Sequence, residues 1–217
     1  MNKIKLLYDV ARTMRTKEKV DGILTAQVRK DKEEVFSLRN EFGKNATGEA
    51  TAKVSCELNL DGSRVKRESL TEFSTTGDCR HGRGVLGRLF HHHHGTRECC
   101  GIKGFFTRVS FALGILSSLQ AEEQGNGGAV ISLNLNDIPE EMKKLLLEKM
   151  NQKHARHPHG CILTESDVLE ALDGVAVLTV NKSREIETFT INMDGRVQNA
   201  ASELQTLSAN AEVQFSW

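Results

Sequence analysis

Hydrophobic and polar residues alternate along several segments of the chain, which predicts β-strands with one apolar and one polar face. The clearest alternation runs from Ala52 to Leu60, and the Asp61-Gly62 pair that follows it is typical of a tight turn. We therefore expect a returning strand over Val65 to Phe73. Residues 24–42 and 175–193 alternate in the same way around charged turns, so they predict two more hairpins. Strands with one wet face indicate an antiparallel sheet.

Other segments repeat apolar residues at the helical spacing of 3.6. This spacing predicts amphipathic helices over residues 3–18 and 139–156, and the second of these follows a capping acid and a proline. The longest apolar stripe predicts a buried helix over residues 102–122, and a strand is expected from Ile131. A capping pattern at Thr164 predicts a short helix that ends at Gly174, and the tail from Asn199 is expected to be irregular or weakly helical.

These elements predict an α+β fold. We expect a curved, mainly antiparallel sheet packed on the long apolar helix, with additional amphipathic helices around it. A length of 217 residues is compatible with one large domain, so residues 1–217 are assigned to a single domain. Within it, residues 77–101 are rich in glycine and predict a long loop.

This order of elements resembles the lipoprotein-carrier superfamily. The resemblance rests on the segments Val20 to Phe42, Ala52 to Phe73 and Val175 to Val197, which together make up about half of the chain. It implies an antiparallel sheet rolled around an apolar helix, with a hydrophobic cavity that holds lipid in exported relatives. This sequence departs from those relatives because no export signal is recognisable and because it carries two clusters of histidine and cysteine.

Charge and hydropathy narrow the range of functions. The chain has 29 basic and 29 acidic residues, so it lacks the surplus of cations that a general nucleic-acid binder needs. Near the N-terminus, Asp9 and Arg12 interrupt any apolar signal region, so we expect a cytoplasmic protein. The run from Ile102 to Leu119 contains Lys103 and Arg108, so no transmembrane segment is predicted.

All eight histidines and four of the five cysteines fall in two clusters. Imidazole and thiolate bind borderline and soft metal ions, so the clusters predict a site for Zn, Ni or Cu. A polar loop whose histidines bind metal only adventitiously is the alternative. The candidate ligands of the first cluster are Cys79, His81, His91, His92, His93, His94, Cys99 and Cys100, and those of the second are His154, His157, His159 and Cys161.

Catalytic interpretations are weaker. Cys79 lies near His81, but no acid is indicated that would orient the pair for nucleophilic catalysis. The glycines of residues 82–87 match a dinucleotide-binding pattern without the strand and helix that it requires, so no organic cofactor is indicated. We therefore expect a non-enzymatic protein that binds a transition metal. The alternative is a module that binds an apolar, lipid-like ligand or a protein partner on its sheet. The oligomeric state is left open.

Overall fold

The computed structural model describes residues 2–60, 62–74, 113–156, 167–199 and 201–217. Two helices lie in these ranges, α1 (Lys3–Arg15) and α2 (Glu140–Arg156), together with a helical segment over residues 113–118 and a short 3-10 helix, Leu135–Asp137. The strands are β1 (Val20–Lys30), β2 (Glu33–Lys44), β3 (Glu49–Leu60), β4 (Ser63–Ser74), β5 (Gln120–Glu123), β6 (Ala129–Asn134), β7 (Val168–Val180), β8 (Ile186–Gln198) and β9 (Leu204–Ser216).

The nine strands form one antiparallel sheet in the order β4-β3-β2-β1-β9-β8-β7-β6-β5. Strands that are neighbours in the sheet are consecutive in the chain except at the centre, where β1 pairs with β9, and β4 and β5 lie at the two edges. In this pairing Ala26 lies opposite Ala211, and Leu24 lies opposite Val213. The two halves of the chain therefore meet along the β1–β9 ladder.

The predicted α+β fold with a long apolar helix is wrong, because the fold is dominated by the sheet. The helix predicted over residues 102–122 cannot extend to its expected end, since Gln120–Glu123 forms β5 and pairs with β6. A glycine-rich turn closes this hairpin, with the Gln124 amide donating to the carbonyl of Gly128 at 2.9 Å. Turn chemistry thus prevails over helical periodicity here. Residues 102–112 lie outside the described residues, as does the predicted loop over 77–101.

Two further predictions are corrected by the strands near the C-terminus. The expected helix from Thr164 to Gly174 is wrong at its described end, because β7 begins at Val168 and pairs with β8 as far as Gln198. The tail is also not irregular, because it forms the 13-residue strand β9. In both places pairing with neighbouring strands outweighs weak local helical signals.

The strand register gives the sheet two chemically different faces, because directly paired residues project to the same side. We call one side the apolar face. On the central strands it carries Leu24, Ala26 and Val28 of β1, Phe36, Leu38, Asn40 and Phe42 of β2, Val54, Cys56 and Leu58 of β3, Leu207, Ala209, Ala211, Val213 and Phe215 of β9, and Phe189, Ile191 and Met193 of β8. The opposite, polar face carries Gln27, Arg29, Asn192, Asp194, Ser208 and Asn210.

The best-buried core lies where α1 packs on strands β6 and β7. Leu6 and Val10 of α1 are 2% and 4% exposed, and they cluster with Ala129, Ile131 and Val180. Asn2 caps this helix, since its Oδ1 accepts hydrogen bonds from the amides of Ile4 and Lys5. The described part of the core thus lies over β6 and β7, near one edge of the sheet, rather than over the central strands.

Helix α2 is attached to the start of β7. The side chain of Asn151 donates to the carbonyl of Leu169 at 3.1 Å and accepts from the Leu169 amide at 3.0 Å. Met142 is buried on the same helix, and Gly114 of the 113–118 segment approaches it closely. A Cβ on Gly114 would lie 2.6 Å from the Met142 sulfur, so a larger residue there would require the methionine side chain to shift.

Four hairpin turns share one backbone pattern over five residues: Asn45–Glu49, Gln124–Gly128, Asn181–Glu185 and Asn199–Glu203. In each, the first amide donates to the fifth carbonyl, and the fourth amide donates to the first carbonyl. The fourth residue always has a positive φ. It is Gly48 at 83°, Gly127 at 83°, Arg184 at 64° and Ser202 at 63°.

Candidate ligand-binding face

Three small side chains form a shallow depression at the centre of the apolar face. Ala26 of β1 lies directly beside Ala211 of β9, and Ala209 follows on the same side of β9. We call these three residues the alanine trough. Larger side chains flank it on both sides, with Leu38 opposite Ala26 on β2 and Ile191 opposite Ala211 on β8. Since alanine ends at Cβ, the face is lower at these three positions than at Leu24, Val28 and Val213 beside them.

The residues around the trough are only partly covered. Leu24, Val28, Leu38, Ile191 and Val213 are all intermediate in exposure. The packing of α1 and α2 described above falls on β6 and β7, to one side of these strands. Apolar side chains that stay partly exposed on a continuous surface are available to contact a ligand or a partner, so this face is a candidate site.

An ordered aromatic cluster closes one end of this surface. The rings of Phe42 and Phe215 meet edge to face with centroids 6.0 Å apart, and Phe215 stacks on Trp217 at 5.5 Å. Gly22 makes this packing feasible, because a Cβ there would lie 2.6 Å from the Phe42 ring. The Trp217 indole N–H donates to the carbonyl of Ile186 at 2.7 Å, so the ring is held in place.

Lys17 covers the outer side of this cluster. Its Nζ lies 5.5 Å from the centroid of the Trp217 ring and forms an ion pair with Glu185. The pKa of Glu185 is lowered by the hydrogen bond from Asn181 and, after that, by Lys17. Glu185 is therefore ionised at neutral pH and keeps the lysine over the indole ring.

The opposite end of the apolar face is polar. Lys30, at the end of β1, lies 3.6 Å from the carboxylate of Asp167, which is almost completely buried. Gln205 of β9 lies near this end, opposite Val197, and its Oε1 is buried without a hydrogen-bond partner. The surface thus has an aromatic end and a polar end.

A single amide interrupts the apolar face beside the trough. Asn40 lies on β2 between Leu24 of β1 and Val54 of β3. Its Oδ1 is buried and has no hydrogen-bond partner. A buried carbonyl oxygen without a donor costs about 1–3 kcal/mol, so a ligand group that donates a hydrogen bond would be favoured here. The sequence does contain the signal, because Asn40 is the one polar residue in the Phe36, Leu38, Phe42 alternation.

Most of the predicted metal ligands lie outside the described residues. The structure places His154 in the last turn of α2, and it describes none of Cys79, His81, His91, His92, His93, His94, Cys99, Cys100, His157, His159 and Cys161. Over the described ranges, no group of three or more histidine, cysteine or acidic residues is arranged to hold a metal ion. Cys56 is a free thiol on the apolar face, opposite Leu38. The two clusters therefore stay a prediction from the sequence.

The part of the chain that the structure describes contains no helix that is both long and apolar enough to cross a membrane.

Comparison with known proteins gives only distant structural likeness. No protein-family model matches the sequence, and no curated protein matches it. A dehydratase domain of a mycocerosic acid synthase-like polyketide synthase is 13% identical, with a TM-score of 0.16, over 90% of this chain and 74% of that one. The tesB protein of Mycobacterium avium subs paratuberculosis is 9% identical, with a TM-score of 0.17, over 99% and 86% of the two chains.

The CurK dehydratase is also 9% identical, with a TM-score of 0.15, over 99% of this chain and 82% of that chain. TM-scores this low do not establish a shared fold.

Proposed function

We propose that this protein is a non-enzymatic binding protein that holds an apolar, lipid-like ligand along the alanine trough. The observation that carries the proposal is the continuous apolar face, with three small side chains at its centre between larger ones. A hydrocarbon chain can lie across the face at this point. Burying about 300 Å² of its surface would contribute about 7 kcal/mol before the cost of immobilising it.

The shape and polarity of the face favour a small amphipathic ligand over a protein partner. A lone unsatisfied acceptor at Asn40 and a polar end near Gln205 suit a molecule that carries few polar groups on a hydrocarbon body. A second copy of the chain is the competing occupant, and measuring the oligomeric state tests it directly.

Trp217 offers a direct test, because it is the single tryptophan of the chain and stacks at the aromatic end of the face. We expect a fatty acid brominated in the middle of its chain to quench the fluorescence of Trp217 in a saturable way. The unbrominated fatty acid should compete for the site and restore the emission. Unchanged emission at every concentration of the brominated chain would contradict the proposal, as would a stable dimer that leaves no room for the probe.

The Asn40 carbonyl is expected to select ligands that can donate a hydrogen bond. Wild-type protein should bind a chain with a mid-chain hydroxyl about two- to tenfold more tightly than the plain chain, as one hydrogen bond contributes about 0.5–1.5 kcal/mol. Asn40→Leu should remove this preference while binding the plain chain equally well. Competition against the brominated probe measures both affinities. A preference that survives in Asn40→Leu would assign the selection to another group.

We also propose metal binding as a second function, which the sequence clusters alone support. Zn, Ni or Cu would suit mixed imidazole and thiolate ligands, and we infer that the two clusters share ions. Calorimetric titration should show reduced stoichiometry or affinity when His91 to His94 become alanine, and also when His154, His157 and His159 do. Binding should weaken below about pH 6, because protonated imidazole cannot bind a metal ion.

The two variants separate the outcomes of the metal titration. If both keep the stoichiometry and affinity of the wild type, the clusters do not share a site. If the wild-type protein, purified without a nickel column or chelator, binds no zinc, nickel or copper at all, metal binding itself is excluded.

A further inference from the structure

An open cavity lies where the last turns of α1 approach the turn between β7 and β8. It has a volume of about 300 Å³ and is lined by Asp9, Arg12, Thr13, Thr16 and Arg184. Two guanidinium groups therefore share this cavity with one carboxylate and two hydroxyl groups. The lining carries a net charge of +1, since two cations face one anion.

Arg184 occupies a backbone position that does not favour arginine. It is the fourth residue of the Asn181–Glu185 turn, where φ is 64°. The equivalent positions of the other three turns hold Gly48, Gly127 and Ser202. A left-handed conformation is strained for a long side chain, so an arginine at this position suggests a role for its guanidinium.

The guanidinium of Arg184 is not satisfied within the described structure. Its Nη1 is buried and has no hydrogen-bond partner. The Thr16 hydroxyl already donates to the Thr13 carbonyl at 2.8 Å, so it can only accept a further hydrogen bond. A buried guanidinium nitrogen without an acceptor is strongly unfavourable, so a rotation of the Arg184 side chain that brings Nη1 to the cavity would let a ligand supply the acceptor.

We propose that this cavity binds phosphate, either free or as a phosphate monoester. The planar guanidinium groups of Arg12 and Arg184 present paired N–H donors that match the oxygens of a phosphate group. The Thr13 hydroxyl supplies one more donor. The carboxylate of Asp9 repels anions, so the site favours one small anion over several. The C-terminal end of α1 carries a partial negative charge that opposes an anion, so the two guanidinium groups have to outweigh it.

The test is calorimetric titration of the whole protein with inorganic phosphate, and separately with glycerol phosphate, at constant ionic strength. The wild-type protein should bind at least one of them with a saturable 1:1 isotherm. Arg184→Gly should weaken that binding at least tenfold. Because glycine suits a positive φ, this variant should fold, and its unfolding temperature verifies that it does. The tighter of the two ligands identifies the source of the phosphate group.

Two controls match the variant. Ser202→Gly changes the same turn position in another hairpin, and Arg15→Ala removes a cation from the same last turn of α1 without lining the cavity. Both should bind as the wild type does. The proposal is overturned if the wild-type protein binds neither anion, if Arg184→Gly binds normally, or if Arg15→Ala weakens binding as much as Arg184→Gly.

Discussion

Leu6→Ala is expected to lower the free energy of unfolding by about 2–5 kcal/mol. Leu6 is 2% exposed and packs with Val10 against Ala129, Ile131 and Val180, so its truncation would leave a cavity in the best-buried part of the described core. This contact is also what attaches α1 to the sheet. Urea denaturation, followed by circular dichroism, measures the change.

Ile4→Ala is the matched control for Leu6→Ala. Ile4 belongs to the same helix and has the same number of carbon atoms, but it is 63% exposed. Its replacement should change the free energy of unfolding by no more than about 0.5 kcal/mol. Equal losses for the two variants would mean that α1 does not pack on the sheet through the face described here.

Ala211→Phe is expected to weaken binding of the brominated fatty acid at least tenfold. Ala211 forms the floor of the trough between Ala26 and Ile191, so a benzyl group there would occupy the volume that we assign to the hydrocarbon chain. Because the residue is only partly buried, the new side chain can extend outward rather than strain the sheet. Quenching of Trp217 measures the affinity.

Asn210→Phe provides the control on the opposite side of the sheet. Asn210 precedes Ala211 on β9, projects from the polar face and is exposed, so a phenyl group there leaves the trough unchanged. Its affinity for the brominated chain should equal that of the wild type. If Asn210→Phe weakened binding as much as Ala211→Phe, the ligand would not lie in the trough.

Much of the sheet could be predicted from the sequence, because its strands alternate apolar and polar residues without interruption. The hairpin of β3 and β4 follows from the alternation over Ala52 to Leu60 and from the Asp61-Gly62 turn. Helix α2 was also predicted, since a proline and acidic residues mark its start. In these segments local propensity and tertiary packing favour the same structure.

The prediction failed where local and tertiary preferences differ. Strand β9 does alternate, through Leu207, Ala209, Ala211, Val213 and Phe215, but alanine has a low preference for strands and obscured the pattern. β5 was assigned to the end of an apolar helix because only four residues of it precede the turn. Hydrogen bonds to β6 stabilise β5 as a strand, although its own four residues are too few to predict one.

The alanine trough could not be predicted from any single segment of the sequence. Its floor combines Ala26 from β1 with Ala209 and Ala211 from β9, and only the sheet order brings these strands together. The cavity at Arg184 could not be predicted for the same reason, because its lining combines residues of α1 with Arg184, which is distant in sequence. Both sites depend on pairing between distant segments, which hydrophobic periodicity does not encode.

The pairing of β1 with β9 has a consequence for how the protein is made. During translation, the strands from β1 to β4 emerge first and can form two hairpins by themselves, but β1 keeps an unpaired edge. That edge stays open until residues 204–216 have left the ribosome, because β9 is its partner. The nascent chain therefore carries unpaired backbone N–H and C=O groups along β1 until β9 has been made, and chaperones would protect this edge from aggregation during that period.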